Sequence, residues 1–256
     1  MKVKVDQLYE IKPRSIVYLF SGGKDSSLAL LKTRDVVKMY ADENRARVYM
    51  VHITVTGNTH PLNVYASATV MYWHKKHYGF EPVFLAQNKV FQEYVAKYGL
   101  QIGSQRWCYT EFKNKVISGF ERKLPRPVVE IDGMKPSDSK HRSMMLNSEW
   151  QFIERRHNGF KYWAWHPLFS FEDDPLEELK KHPEFQPVVL LYELYGDSLN
   201  CVICPYKSKQ KYIRYHQVEN LSIVYDYMKL VMRSRRHINK LSFSKNKTLE
   251  VISREG

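Results

Sequence analysis

Apolar and polar positions alternate in blocks along the first two-thirds of the chain. Short apolar runs predict four strands, at "SIVYLF", "ARVYMVHITV", "EPVFLAQ" and "RPVVEIDG". Apolar residues at helical spacing predict helices between and around them, at "DSSLALLKTRDVVKMYADE", "PLNVYASATVMYWHKKHYG", "VFQEYVAKYG" and "CYTEFKNKVISGFERKL". Strands that alternate with helices predict an α/β protein with a doubly wound, mostly parallel sheet covered on both faces.

The pattern becomes less regular after Gly133. Here the sequence predicts a polar loop at "MKPSDSKHRS", a late strand at "KYWAWHPLF" and a short helix at "EDDPLEELKKH". One or two long basic helices are predicted from "KQKYIRYHQVENLSIVYDYMKLVMRSRRHINKL". We therefore divide the chain at about Asn200, into an α/β domain of residues 1–200 and a basic helical extension of residues 201–256.

The chain is basic, with 40 lysines and arginines against 27 aspartates and glutamates and a formal net charge of +13. The excess is concentrated in residues 205–256, which contain 12 basic and 4 acidic side chains. Clustered cations gain free energy by releasing counterions from nucleic-acid phosphates, so a nucleic acid is one candidate partner of this region. A solvated basic surface explains the same composition, and the sequence leaves both interpretations open.

No apolar run of the sequence is long enough to span a bilayer. The first residues, "MKVKVDQLYEIKPR", alternate charged and apolar positions and form no signal-peptide core. We therefore expect a soluble cytoplasmic protein without a membrane partner, as a monomer or an oligomer.

The junction "IVYLFSGGKDSSLALL" carries the strongest chemical signal. A glycine pair after a buried strand lets successive backbone N–H groups point into one concavity, and the following helix adds its unpaired first-turn N–H groups. Ser21, Ser26 and Ser27 add hydroxyl groups, Lys24 adds positive charge, and Asp25 holds the loop or a metal. An ordinary capped glycine loop is the alternative, but the whole strand, Ser-Gly-Gly-x-Asp-Ser and helix pattern favours an anion cradle.

The "SGGKDS" segment resembles the PP-loop signature of the adenine nucleotide alpha hydrolase-like superfamily. Members of this superfamily bind ATP or an adenylyl compound, hold pyrophosphate or sulfate in the loop, and commonly cleave between the α- and β-phosphates. The resemblance implies an enzyme that uses ATP with magnesium, or a sulfonucleotide, and a nucleotide-binding domain in residues 1–200. It implies that the anion-binding loop consists of Ser21, Gly22, Gly23, Lys24, Asp25 and Ser26. Of these, we expect Ser21, Lys24 and Asp25 to be catalytic.

A closer resemblance, to the phosphoadenosine phosphosulfate (PAPS) reductase family, extends to about Ser208. Three segments carry it, "TVTGNTHPLNVYA", "RWCYTEFK" and "DGMKPSDSKHR". Val55 and Asp138 replace the family's aspartate and glutamate, and Lys135 replaces an arginine without that residue's two-pronged phosphate recognition. The resemblance implies further nucleotide-binding residues, namely Thr56, Gly57, Arg106, Lys113, Gly133, Lys135 and Arg142.

Three cysteines, Cys108, Cys201 and Cys204, are present, the last two in the Cys-x-x-Cys segment "CVICP". The family resemblance brings Cys108 to the same end of the sheet as this pair. Three thiolates suit an iron–sulfur cluster or, with a further ligand, zinc, and we favour a [4Fe–4S] cluster. A redox-active or structural dithiol, with Cys108 as a small core residue, is the alternative.

Other polar and aromatic candidates have simpler structural explanations. His52 lies within a strand pattern and is expected to be packed and hydrogen-bonded. Trp163 and Trp165 are expected in a core strand rather than a base-stacking platform, and Asp173 and Asp174 as a helix cap rather than magnesium ligands.

Thiol-dependent PAPS reductases end with a catalytic cysteine, whereas no cysteine follows Cys204. This difference favours ATP-dependent adenylation of an acceptor or sulfur transfer to it, with a thiol or sulfur-donor protein as a candidate partner. Reduction of PAPS or adenylyl sulfate by an external thiol is a second hypothesis. A nucleic-acid-binding protein with a non-catalytic nucleotide-sensing loop is a third.

Overall fold

The computed structural model describes residues 5–99, 107–155, 159–204 and 207–219. Its centre is a six-stranded sheet with the strand order β3-β2-β1-β4-β6-β5. All neighbouring strands are parallel except β5, which pairs antiparallel with β6 at one edge. The strands are β1 (Ser15–Leu19), β2 (Arg47–Thr54), β3 (Glu81–Ala86), β4 (Val128–Ile131), β5 (Trp150–Glu154) and β6 (Lys161–Trp165). The predicted α/β class with a mostly parallel sheet is confirmed.

Helices lie on both faces of the sheet. They are α1 (Asp6–Ile11), α2 (Lys24–Asn44), α3 (Pro61–Tyr78), α4 (Phe91–Tyr98), α5 (Trp107–Tyr109), α6 (Lys115–Glu121), α7 (Lys140–Met145), α8 (Pro175–Leu179), α9 (Gln186–Tyr195) and α10 (Lys209–Glu219). A π-helical turn, Thr110–Asn114, joins α5 to α6. Helix α10 begins the predicted basic helical region, and residues 220–256 of that region lie outside the described residues.

Alternate side chains of each central strand enter opposite cores, as the two-residue period of a strand requires. Ile16 and Tyr18 of β1 belong to the same large apolar cluster as the buried face of α2 and α3. Val17 belongs to a second cluster that includes Ile117 of α6. The sheet is therefore covered on both faces, and its carboxyl edge stays available for a ligand.

Two parts of the irregular region differ from the sequence predictions. The predicted polar loop contains a 3₁₀ turn, Pro136–Asp138, and helix α7, which begins after Ser139. The hydroxyl of Ser139 accepts a hydrogen bond from the Arg142 N–H at 3.2 Å. Helix α7 has no buried residue and thus no apolar period to reveal it. Strand β5 was also not predicted, nor were α1 and α9.

Contacts join the two sides of the predicted domain boundary at Asn200. The Val202 N–H donates to the Asn58 carbonyl at 2.8 Å, and the Ile203 N–H donates to Asn58 Oδ1 at 2.7 Å. Tyr215 of α10 is completely buried. The division into two domains remains a prediction.

The strand order reverses between β1 and β4, because the chain proceeds outward from β1 through β2 and β3 and then returns to its other side. Open α/β sheets bind ligands beyond the carboxyl ends of the strands at such a switch point. Residues 20–23 after β1 and residues 132–134 after β4 lie at this position. No helix in the described part of the chain has both the length and the apolar character needed to cross a bilayer.

Two fully buried histidines make folding sensitive to mild acid. His52 of β2 contacts the Phe20 carbonyl through Nδ1 at 3.0 Å, and His74 of α3 contacts the Val70 carbonyl at 2.8 Å. His52 therefore has the packed, hydrogen-bonded position expected from the sequence. Burial disfavours the charged imidazole and lowers the pKa of each from 6.5 to about 4.

Since the unfolded chain binds these protons more readily, the stabilisation is present above about pH 6.5 and is lost as pH falls towards about pH 4. We expect a loss of roughly 2 kcal/mol per histidine by about pH 5. Urea unfolding over this pH range measures the slope, with the double variant His52→Gln, His74→Gln as the comparison. An equally steep slope in the variant would contradict the assignment.

Candidate nucleotide-binding site

The loop of residues 20–23 turns sharply between β1 and α2. Gly22 has a φ of +69°, a left-handed conformation that glycine adopts without strain. A methyl group at Gly22 would overlap the Ser67 hydroxyl and lie 2.7 Å from the Asn63 amide nitrogen. The loop thus rests directly on helix α3, and a larger residue at Gly22 would lift it.

Hydroxyl groups stabilise the start of α2. Ser26 Oγ donates to the Gly23 carbonyl at 2.9 Å and lies 3.1 Å from Ser21 Oγ. Ser27 is completely buried, and its hydroxyl has no hydrogen-bond partner. The structure therefore brings Ser21 and Ser26 together in the loop, whereas the buried Ser27 hydroxyl forms no hydrogen bond with either of them.

The loop lysine is paired with an acidic residue that is distant in sequence. Lys24 Nζ donates to Asp174 Oδ1 at 2.8 Å. The same carboxylate caps α8 by accepting from the Leu176 N–H at 3.2 Å, which confirms the cap interpretation of Asp174. The hydrogen bond from Lys24 is the main reason that the pKa of Asp174 is lowered. The backbone N–H of Lys24 donates to Tyr192 Oη at 3.2 Å.

The loop after β4 packs against the first turn of α2. Lys135 Nζ lies 2.9 Å from Asp25 Oδ1, so Asp25 connects the two loops. A methyl group at Gly133 would overlap the carbonyl group of Asp25 and lie 2.7 Å from the Ser26 nitrogen. Gly133 is therefore required by the close approach of two backbones.

A chain of buried amides continues from the loop. Asn63 Nδ2 lies within hydrogen-bonding distance of the Ser21 carbonyl, at 3.2 Å, and of the Ser198 carbonyl, at 2.8 Å. Asn200 Nδ2 donates to Asn63 Oδ1 at 3.4 Å, and Lys113 Nζ donates to Asn200 Oδ1 at 3.0 Å. Sequence reasoning placed Lys113 in the site but missed both asparagines, because their neighbours lie far away in the chain.

A cavity of about 190 Å³ opens beside the loop, between the sheet and α6. Lys113 and Asn114 of the π-helical turn contribute to its wall, and such turns are frequent at functional sites. Most of the lining is aliphatic or aromatic, including Leu19, Val51, Ile53, Tyr109, Ile117, Ile153 and Tyr162. A cavity of this composition suits an uncharged ring next to an anion-binding loop.

Buried ionisable groups form part of the cavity wall. Arg155 Nη2 contacts Glu121 at 2.9 Å and also contacts Glu130. Burial raises the pKa of both carboxyls, and the neighbouring Glu121 raises that of Glu130 further. Next to them, His166 Nδ1 lies 2.8 Å from Asp132 Oδ1. The sequence indicated none of these contacts, because the residues come from elements that are far apart in the chain. They lie in α6, in β4 and directly after β4, β5 and β6.

Other predicted nucleotide-binding residues make local contacts. Thr56 Oγ1 donates to the Gln87 carbonyl at 3.1 Å, and the Gly57 carbonyl accepts from Gln92 Nε2 at 2.7 Å. Arg142 forms an ion pair with Asp138. Arg106 lies outside the described residues. The nucleotide-binding roles of these residues remain predictions.

The three cysteines line one further cavity, of about 590 Å³, and none of them is in a disulfide. Burial and the proximity of Cys201 and Cys204 raise the pKa of the Cys108 thiol to about 11. Among the residues that the structure describes, no group of three or more cysteine, histidine, aspartate or glutamate side chains is arranged to hold a metal ion. The shared cavity agrees with the expected proximity, but the thiols as placed do not fit a cluster or zinc.

Aromatic residues of the late strand have structural positions. Trp165 is completely buried and stacks on Trp150 with ring centroids 4.6 Å apart. Trp163 packs beside Phe152 at 5.2 Å. The core-strand interpretation of Trp165 is confirmed.

No protein-family model matches the chain, and no curated protein matches it by sequence. Among solved structures, the chain is similar to a crystal structure of phosphoadenylyl-sulfate (PAPS) reductase from Candida auris in complex with phosphate. The similarity covers 64% of this chain and 71% of that chain, at 11% sequence identity and a TM-score of 0.35. So low an identity and TM-score assign neither a family nor a reaction to this chain.

Proposed function

We propose that the chain is a PP-loop enzyme that binds ATP or an adenylyl sulfonucleotide and adenylates an acceptor, or activates it for sulfur transfer. The observation that carries the proposal is the position of the residue 21–26 loop. It lies at the switch point of the sheet, where Gly22 and Gly133 allow the backbone to pack closely and α2 begins. A helix N-terminus after a glycine loop at this position favours phosphate.

In the proposed reaction, a nucleophilic atom of the acceptor attacks the α-phosphorus of ATP. A bond forms between that atom and phosphorus, the bond from the α-phosphorus to the bridging oxygen breaks, and pyrophosphate leaves with the electron pair. The backbone N–H groups of the loop and the dipole of α2 stabilise the negative charge that develops on pyrophosphate. Lys24 exchanges its contact with Asp174 for a phosphate oxygen.

Two residues hold the loop in position during this step. Asp25 contacts Lys135 on the β4 side, and Asn63 contacts the Ser21 carbonyl on the α3 side. Magnesium enters as part of the nucleotide substrate and neutralises phosphate charge. Asp25 Oδ1 lies 2.9 Å from Lys135 Nζ, so magnesium would have to displace this ammonium group to use that oxygen.

Calorimetric titration with ATP, and separately with pyrophosphate, tests the site without knowledge of the acceptor. Lys24→Ala is expected to weaken both affinities by about 10- to 100-fold, the usual contribution of a hydrogen bond to a charged group. Lys32→Ala is the matched control, because Lys32 lies on the same helix and contacts Glu178. Equal affinity of the Lys24→Ala and unmodified proteins would contradict the proposal.

Product analysis then separates the two candidate reactions. Release of pyrophosphate from ATP in the presence of an acceptor supports adenylation. Release of sulfite from PAPS or adenylyl sulfate with a reduced thiol protein supports the reductase alternative. Nucleic-acid binding by the basic region stays a prediction, since most of that region lies outside the described residues.

A further inference from the structure

The cavity of the three cysteines lies next to the candidate nucleotide site, and Tyr109 and Lys113 line both cavities. Cys108 comes from α5, whereas Cys201 and Cys204 come from the segment before α10. All three are partly exposed. The proposed nucleotide chemistry uses none of these thiols.

The segment between Cys201 and Cys204 is held rigidly by one residue. The Ile203 N–H donates to Asn58 Oδ1 at 2.7 Å, and Asn58 Nδ2 donates to the Ile203 carbonyl at 3.0 Å. The side chains of Val202 and Ile203 are buried in the core. This arrangement leaves both cysteines at the cavity, separated by two residues in a turn.

A tyrosine fixes the second cysteine. The Cys204 N–H donates to Tyr212 Oη at 2.9 Å, and Tyr212 Oη donates to the Cys204 carbonyl at 2.6 Å. Tyr212 is itself buried. The backbone of the Cys-x-x-Cys turn is therefore anchored at Ile203 and at Cys204.

The charged side chains in the described lining of this cavity are mostly cationic. Lys113, Arg142 and Lys211 contribute positive charge, and Asp138 contributes one carboxylate, which pairs with Arg142. Lys211 also lies 3.7 Å from Asp197, outside the cavity lining. Neighbouring cations attract anionic ligands.

We propose that Cys201 and Cys204 form a dithiol–disulfide exchange site for an anionic low-molecular-weight disulfide. One thiolate of the pair attacks a sulfur of the bound disulfide, forms a mixed disulfide and releases one anionic thiolate. The second thiolate then attacks the protein sulfur of the mixed disulfide, forms the Cys201–Cys204 bond and releases the second thiolate. The bound disulfide is reduced by two electrons, the cysteine pair is oxidised by two, and the two thiol protons go to the released thiolates or to water.

The test treats the reduced full-length protein with glutathione disulfide, which is anionic at neutral pH, or with cystamine, which is cationic. Intact mass is expected to fall by about 2 Da, and peptide mapping is expected to join Cys201 to Cys204. The Cys108→Ser variant should show the same fall in intact mass. The Cys201→Ser variant should instead retain a mixed disulfide at Cys204. Persistent mixed disulfides at both cysteines of the unmodified protein would overturn the proposal.

The charge argument is tested separately from the pairing. We expect glutathione disulfide to react about 10-fold faster than cystamine, and Lys211→Gln to reduce this preference. Lys140→Gln is the matched control, because Lys140 is an exposed lysine that does not line the cavity. Equal rates for the two disulfides, or iron or zinc bound by these cysteines in the purified protein, would overturn the assignment. Neither outcome depends on nucleotide binding.

Discussion

Replacing Gly133 by alanine is expected to abolish productive nucleotide binding. The added methyl group would overlap the carbonyl group of Asp25 and approach the Ser26 nitrogen to 2.7 Å. Backbone atoms cannot rotate away as a side chain can, so the first turn of α2 must move relative to β4. A displacement of about 1 Å in groups that position a reacting phosphate can cost about 100-fold in rate. We expect pyrophosphate release to fall at least ~100-fold and ATP affinity to fall with it.

Gly119 offers the matched control for this substitution. It lies within α6, and a methyl group added there would have no neighbour within 4 Å. Gly119→Ala should therefore be neutral, or stabilise the fold by up to about 1 kcal/mol through higher helix propensity. Calorimetry with ATP and thermal unfolding measure both variants. A Gly133→Ala protein with unchanged ATP affinity and melting temperature would show that the loops do not depend on this close approach.

Replacing Arg155 by methionine is expected to cause the largest loss of stability, about 3 to 5 kcal/mol. Arg155 is the guanidinium shared by the buried carboxyls of Glu121 and Glu130. Without it, both carboxyls remain buried without this compensating charge. Arg126→Met is the control, because Arg126 is exposed and lies 4.9 Å from the Phe160 ring centroid. An exposed cation over a ring contributes about 0.5 to 1 kcal/mol.

The loss on Arg155→Met should depend on pH in a defined direction. The folded-state pKa of each carboxyl is raised above its usual 4.5, so stability is fully present below that pH and falls as pH rises through the folded values. The deficit should therefore be smaller at about pH 5 than at about pH 8. Adding Glu121→Gln and Glu130→Gln to the variant should restore most of the stability. Urea unfolding measures the unmodified protein, Arg155→Met, the triple variant with both glutamine substitutions, and the Arg126→Met control. A loss of unfolding free energy below about 1 kcal/mol in Arg155→Met would be inconsistent with a buried charge network.

Elements of the fold were predictable where the hydrophobic pattern of a single segment indicates its secondary structure. Strands β1 to β4 are short apolar runs, and α2 and α3 carry apolar residues at helical spacing. The local pattern of apolar residues therefore predicts these elements and their buried positions. Strand β5 has one buried residue, Trp150, among its five positions, and α7 buries nothing. Their structures depend on pairing with β6 and on the Ser139 cap, which local periodicity does not reveal.

The same distinction applies to the candidate site, where residues of one contiguous segment were predictable and residues from distant elements were not. The glycine pair and the serines of the loop were identifiable, because one contiguous segment carries the whole pattern. Asp174 and Asn63 were not assigned to the site, since each reaches the loop from a distant element. The Arg155 network was likewise hidden, because a buried arginine is indistinguishable from a surface arginine until its partners are known.

The ion pairs of the loop also determine how a ligand is attracted. Lys24 is neutralised by Asp174, and Asp25 is neutralised by Lys135. The two charged side chains of the ligand-free loop therefore contribute little to the electric field beyond the site. An incoming phosphate is attracted at short range, by oriented backbone N–H groups, and must displace Asp174 from Lys24. The rate of phosphate binding at this loop should consequently be limited by the exchange of ion-pair partners inside the site. Salt should lower this rate less than it lowers the rate of ligand binding in proteins that attract their ligands over long distances.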